Sequence, residues 1–223
     1  MADRKIYSPD DLEKLVLEFG FLPFFKNEFG DFSVEEYTPE ELWFTDKEGP
    51  WEWKGPVAAR KSCVYGKFFR GKTGFISLEW FPDFANYRRD GYDFDARYED
   101  GLASRNDKEI YELVLEHGSL LSKEIKTACG YGKKGNKGFD TIITRLQMQT
   151  YLIVANFEYS RDKSGCPYGW GVARYTTPEA YLGDTLVSSA YAREPEESKQ
   201  RLFDYLLLLL PEADNEQIYK FIG

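Results

Sequence analysis

The chain has 223 residues, of which 42% are hydrophobic, 17% aromatic and 30% charged, and its net charge is −9. That length allows one large domain or two small ones, each with a real core, and the aromatic share argues against a disordered chain. No run approaches the roughly 20 apolar residues that a membrane-spanning helix needs; the longest candidate, Tyr205 to Leu210, stops at Pro211.

Ser8-Pro9-Asp10-Asp11 predicts a helix start, with a capping serine, a proline suited to the first position and two carboxylates at the positive end of the dipole. Leu12, Leu15, Val16 and Phe19 follow at helical spacing and Gly20 closes the run. Thr38-Pro39-Glu40-Glu41 repeats the start signal for a short helix, which Gly49-Pro50 breaks before Trp51-Glu52-Trp53-Lys54. Residues 63–77 predict a hairpin turning at Arg70-Gly71-Lys72, with Val64, Gly66 and Phe68 on one face and Tyr65, Lys67 and Phe69 on the other. Trp80, Phe81, Phe84 and Tyr87 predict a short helix ending at Arg88-Arg89-Asp90-Gly91. Tyr92 to Tyr98 is ambiguous between strand and loop.

From residue 105 the pattern is clearest. Ile110, Leu113, Val114 and His117 mark one helix, closed by Gly118. Ser122 is expected to cap a second, with Ile125, Ala128 and Cys129 inward. Phe139, Ile142, Ile143 and Leu146 form the stripe of a third. Strands from Thr150 to Tyr159 and Tyr168 to Tyr175 flank a turn at Asp162-Lys163-Ser164-Gly165. Three short helices followed by a hairpin is the winged-helix order, a helix-turn-helix with a β-hairpin wing. A helix from Pro195 to Leu210, its leucine run expected to be buried, and a last one capped by Asp214 complete the chain. The fold class expected is therefore α+β, in three portions: an N-terminal α/β portion with a basic hairpin (1–104), a winged helix (105–178), and C-terminal helices packing on the core (179–223).

One histidine, His117, excludes His-rich metal sites and any mechanism with two imidazoles; its apolar helix face suggests a core residue. No nucleotide-binding loop, HExxH or GxSxG occurs, and neither cofactor nor metal is implied. Cys63, Cys129 and Cys166 lack metal-site spacing. Without a secretory signal, they are expected to be free thiols in a reducing cytoplasm. Asp93, Asp95, Glu99 and Asp100 could gather a cation, but acids beside Arg88, Arg89 and Arg97 more often form surface ion pairs.

The net charge conceals segregation. Residues 54–74 carry Lys54, Arg60, Lys61, Lys67, Arg70 and Lys72 with no acid, whereas residues 1–53 are net −9. Such a run is either a nucleic-acid surface on an acidic protein or a solvated face that contacts nothing. A helix-turn-helix places its third helix in the major groove. Lys133, Lys134 and Lys137 before that helix, Thr141, Thr144 and Arg145 on it, and Arg161 and Lys163 at the wing tip are the corresponding contacts to double-stranded DNA. Asp140 on the same face repels phosphate. Winged helices also dock proteins, so a non-enzymatic regulator or adaptor is the alternative. No membrane partner is expected.

Gln147-Met148-Gln149 is a second feature. If the third helix ends near Leu146, the two glutamines lie on one strand face and their amides can share a water; the alternative is that Gln147 merely ends the helix and Gln149 pairs with a cross-strand neighbour. Trp51, Trp53 and Trp170 could stack a flipped base or simply fill the core.

Trp51-Glu52-Trp53-Lys54, Tyr65-Gly66-Lys67-Phe68-Phe69, Gly74-Phe75-Ile76-Ser77 with Trp80-Phe81-Pro82, Leu146 to Leu152 and Tyr168 to Glu179 together resemble the bacterial AlkZ-related family. More distantly, the chain is similar to the AlkZ-type DNA glycosylases, which use winged helices and a Gln-x-Gln motif to hydrolyse the N-glycosidic bond of alkylated purines. That resemblance implies a DNA-repair protein in which Gln147 and Gln149 position the attacking water. A cationic alkylpurine is already a good leaving group, so no strong acid is required.

Overall fold

A computed structural model describes residues 4–44, 48–133, 135–165 and 167–223, with only the backbone of 167 and 168. Lys134 and Cys166 therefore lie outside the described residues. The fold is α+β, built on one six-stranded antiparallel sheet.

The chain opens with α1 (Pro9–Phe19), where the Ser8 hydroxyl accepts the Asp11 N–H and Gly20 at φ +70° ends the helix. Strand β1 (Phe21–Pro23) leads to α2 (Val34–Tyr37). Here the structure departs from expectation: the Thr38 hydroxyl donates back to the Val34 carbonyl and finishes α2, and only a single 3-10 turn follows at Glu40–Leu42. Gly49-Pro50 does not merely break the chain. It starts α3 (Pro50–Ala59), with proline at the first position and the Glu52 carboxylate taking the Gly49 N–H at 2.9 Å.

The hairpin forms as expected from β2 (Cys63–Phe69) and β3 (Lys72–Ser77), pairing Gly66 with Gly74. A Cβ on Gly66 would meet the Phe68 ring at 2.8 Å and one on Gly74 the Phe69 ring at 2.5 Å. Both rings thus lie over glycines. An irregularity between Gly66 and Phe69 breaks strict alternation, so Phe68 and Phe69 join one core. Next come α4 (Phe81–Arg89), ended by left-handed Asp90, and α5 (Phe94–Glu99). The ambiguous segment is a helix because the Asp93 carboxylate caps it, accepting the Ala96 N–H at 2.8 Å.

The next segment follows the order α6 (Arg105–His117), β4 (Ser119–Leu121), α7 (Ser122–Ala128), α8 (Phe139–Met148), β5 (Ile153–Arg161) and β6 (Pro167–Thr176). Ser122 is the first residue of α7 and not its cap; the Glu124 carboxylate takes the Leu121 N–H instead. Ala128 is exposed, although Ile125 and Cys129 are buried. His117 is also exposed, its Nδ1 on the Leu113 carbonyl at 3.0 Å, so it is no core residue. The chain finishes with α9 (Pro178–Leu182), α10 (Asp184–Val187), α11 (Pro195–Leu209) and α12 (Asn215–Ile222). The leucine run of α11 is divided: Leu206 is buried and Leu208 is 83% exposed, because a helix packed on one side must show its other side to water.

Strands lie in the order β1-β3-β2-β5-β6-β4, so the N-terminal hairpin extends the sheet of the later segment through Tyr65 and Val154. Adjacent strand residues point to opposite faces. Leu22, Tyr65, Phe75 and Val154 enter a core with α1, α3, α6, α7 and α8, whereas Phe21, Val64, Ile76 and Ile153 enter one with α4, α11 and α12.

Candidate nucleic-acid interface

Gln147 docks α8 onto the basic hairpin. Its side chain is buried, with Nε2 donating to the Ile143 carbonyl at 2.8 Å and Oε1 accepting the Lys67 N–H at 3.1 Å. The Lys67 ammonium then donates to the Thr144 hydroxyl at 3.1 Å. Beside these contacts lies a cleft of about 740 Å³. Lys67 of β2 and Arg88 of α4 line it, with Asp140, Thr141, Thr144, Arg145 and Met148 of α8 and with Gln149. The hairpin turn reaches the same helix: a Cβ on Gly71 would sit 3.4 Å from the Thr144 methyl.

The two glutamines do not project together. α8 continues through Met148 and Gln149 is its C-cap, so residues two apart diverge by roughly 200° around the helix. Gln147 points into the protein, while half-buried Gln149 faces the cleft. Thr150, directly after the C-cap, turns the chain out of the helix with φ +62°. A β-branched residue adopts that conformation only under constraint. Arg89 supplies it, donating from Nη2 to the Thr150 carbonyl at 2.8 Å and from Nε to its hydroxyl at 3.3 Å.

The cations of residues 54–74 are dispersed. Lys67 lines the cleft and exposed Arg70 and Lys72 flank the adjoining turn, bordering a smaller pocket with Phe69 and Phe221. Arg60 is paired with Asp10 and Glu13, and Lys61 donates to the Tyr181 carbonyl at 2.8 Å. These two are drawn away because α1 and α9 offer oxygens. Lys54 is buried, its ammonium 4.5 Å from the ring centroids of both Trp51 and Phe157. Burial pushes its pKa down to about 8. It is a core residue of α3 and no part of a solvated basic surface.

On α8, Thr141 is exposed and Thr144 half-buried, but Arg145 is tied to buried Asp107 at 2.6 Å. Asp140 lies 3.6 Å from Lys126, which partly offsets its charge. Lys133 and Lys137 are exposed before the helix, as are Arg161 and Lys163 at the tip of the β5–β6 hairpin. Among the tryptophans, Trp53 is buried in the core and unavailable for stacking. Trp170 is 72% exposed and meets half-buried Trp51 edge-on at 5.5 Å. Two of the acids considered for a cation are otherwise engaged: Asp93 caps α5 and Asp100 accepts the Tyr92 hydroxyl. Among the described residues no group of three or more His, Cys, Asp or Glu side chains is placed to hold a metal ion.

The model of the family described as AlkZ related matches residues 6–223. The chain belongs to the AlkZ-related family. No curated protein and no solved structure matches it. The match spans every strand of the sheet, so membership in the AlkZ-related family concerns the whole arrangement around the cleft and not one motif. In this AlkZ-related protein, sequence reasoning had missed Arg88 as a cleft residue. The signal was present: Phe81, Phe84, Ala85 and Arg88 stand at i, i+3, i+4 and i+7, so a cation continues an apolar stripe.

Proposed function

We propose that residues 105–178 form a winged helix through which this protein contacts double-stranded DNA. The observation that carries the reading is the shared cleft, where Lys67 of the basic hairpin meets Thr141 and Thr144 of α8. The order helix, strand, helix, helix, hairpin supports it, as does the pairing of β4 with β6. In that arrangement α8 is the helix presented to the major groove. Lys133, Lys137, Arg70 and Lys72 would meet phosphates, with Arg161 and Lys163 contacting the backbone from the wing.

The narrower reading is hydrolysis of the N-glycosidic bond of an alkylated purine turned out of the duplex into the cleft. Gln149, whose side chain faces that space, would hold the attacking water through its amide. Gln147 has both amide groups engaged within the protein, so its part is to fix α8 against β2. Trp170, backed by Trp51, offers an aromatic face on which a base could stack. The work would take place in a reducing cytoplasm, where buried Cys63 and Cys129 remain thiols.

The internal engagement of Gln147 favours a second reading, a non-enzymatic DNA-binding regulator or adaptor. Two assays separate these. Binding to a duplex at low salt should weaken steeply as salt rises; its absence removes the DNA reading. Release of an alkylated base that Gln149→Ala abolishes without loss of binding supports the glycosylase. Binding without any release leaves the regulator.

A further inference from the structure

Arg88 and Arg89 are neighbours on α4 with opposite surroundings. Arg89 is buried and fully engaged, with Glu179 and the Tyr191 hydroxyl on Nη1 and Thr150 on its other nitrogens. Arg88 is half-buried and, among the described residues, no carboxylate is paired with it. Its Nη2 donates to the Phe68 carbonyl at 3.1 Å, its Nε is buried without a hydrogen-bond partner, and its guanidinium lies 4.9 Å from the Phe84 ring centroid. Gly223 packs against the guanidinium, and a Gly223 oxygen accepts the Tyr87 hydroxyl.

A cation partly withdrawn from water and left out of any ion pair is expensive to keep. The fold keeps this one at the wall of a cleft, hydrogen-bonded to the residue next to Lys67. Lys67 is a second cation whose side chain is engaged by a neutral hydroxyl, that of Thr144. Of the other charges of the cleft, Arg145 is paired with Asp107 and exposed Asp140 is partly offset by Lys126. Among the described residues, Arg88 and Lys67 line one space and neither is in an ion pair.

We propose that Arg88 and Lys67 form a phosphate-binding pair that grips the phosphate group of a nucleotide seated in this cleft. The planar fork of Arg88 matches two phosphate oxygens and Lys67 adds a point charge beside the Thr144 hydroxyl. The source of the phosphate rests on the DNA reading, since a free nucleotide presents the same group.

The test compares wild type with Arg88→Gln, Arg88→Lys and Lys67→Gln in two arms. The first is fluorescence anisotropy with a labelled duplex carrying an abasic-site analogue, over a salt series. The second is phosphorus NMR line broadening of deoxyadenosine 5′-monophosphate. For a DNA phosphate, Arg88→Gln weakens duplex binding roughly tenfold at low salt and makes the salt slope shallower by about one; Arg88→Lys recovers part of the loss. If wild type ignores the duplex but broadens the nucleotide signal, and Arg88→Gln abolishes that broadening, the site stands and the DNA reading falls. If wild type binds duplex and both glutamine variants keep its affinity and slope, the phosphate pair is overturned and DNA binding survives. Binding in neither arm overturns both. Circular dichroism checks folding, and should Arg88→Gln fail to fold, Lys67→Gln decides the question because its half-buried ammonium makes one hydroxyl contact.

Discussion

The side-chain oxygen of Gln147 accepts the backbone N–H of Lys67 at 3.1 Å, joining residues 80 apart in the chain. That bond sets α8 against the basic hairpin and so shapes the cleft. Gln147→Ala should destabilise the protein by about 1–3 kcal/mol, the cost of leaving a partly buried N–H unpaired. Gln149→Ala, at a half-buried position facing the cleft, should change stability by no more than about 0.5 kcal/mol. Urea denaturation of the two variants checks the contrast, and equal effects would mean that the glutamines share one role.

Lys54 should confer a pH dependence of opposite sense to that of a salt-bridged lysine. Its pKa is about 8 in the fold, below the ordinary value of 10.5, because burial disfavours the ammonium. Between these values the unfolded chain binds more protons, so stability from this group rises with pH across the window and its penalty is full below about 8. Lys54→Met should therefore stabilise the protein by about 1–3 kcal/mol at pH 7, with the gain shrinking as pH approaches 10. Denaturation midpoints of both proteins at pH 7 and 9.5 provide the measurement.

Trp53 and Trp170 should respond in opposite ways to truncation. Trp53→Ala empties a core position and should cost about 3–5 kcal/mol. Trp170→Ala removes a largely exposed ring and should alter stability little, about 0.5–1 kcal/mol through its edge-on contact with Trp51. If Trp170 stacks a base, its fluorescence is quenched by added DNA and Trp170→Ala weakens binding. Unchanged fluorescence on saturation with DNA would remove the stacking role.

Arg161 and Lys163 at the hairpin tip should act as phosphate contacts, not as base readers. The double variant Arg161→Gln, Lys163→Gln is expected to reduce the salt slope of duplex binding by about two while leaving sequence preference unaltered. An unchanged slope would take the wing out of the interface.

Local chemistry was legible wherever one residue type enforces one conformation. Ser8, Gly20, Gly118 and Asp214 act at helix ends as their backbone preferences and capping oxygens require, and the turn at Arg70-Gly71 forms the hairpin. Short elements were not legible. α5 spans six residues, so its single cap outweighs a periodicity too brief to detect. The glutamine pair was misplaced for a related reason. Where α8 stops depends on a left-handed Thr150, and that conformation is held by Arg89, which lies 61 residues away.

By itself, the amino-acid sequence determined where the basic hairpin turns, the order of the helices around residues 105–176 and the existence of an acid-free basic segment. These follow from side-chain period and local capping, which need no distant partner. Only the tertiary structure decided which cations are available. Arg60, Lys61, Arg145 and Arg89 are drawn to oxygens brought near by folding, Lys54 is enclosed by aromatic rings, and Arg88 and Lys67 are left facing a cleft. Charge is written in the chain, but its neutralisation depends on distance, and distance is set by packing.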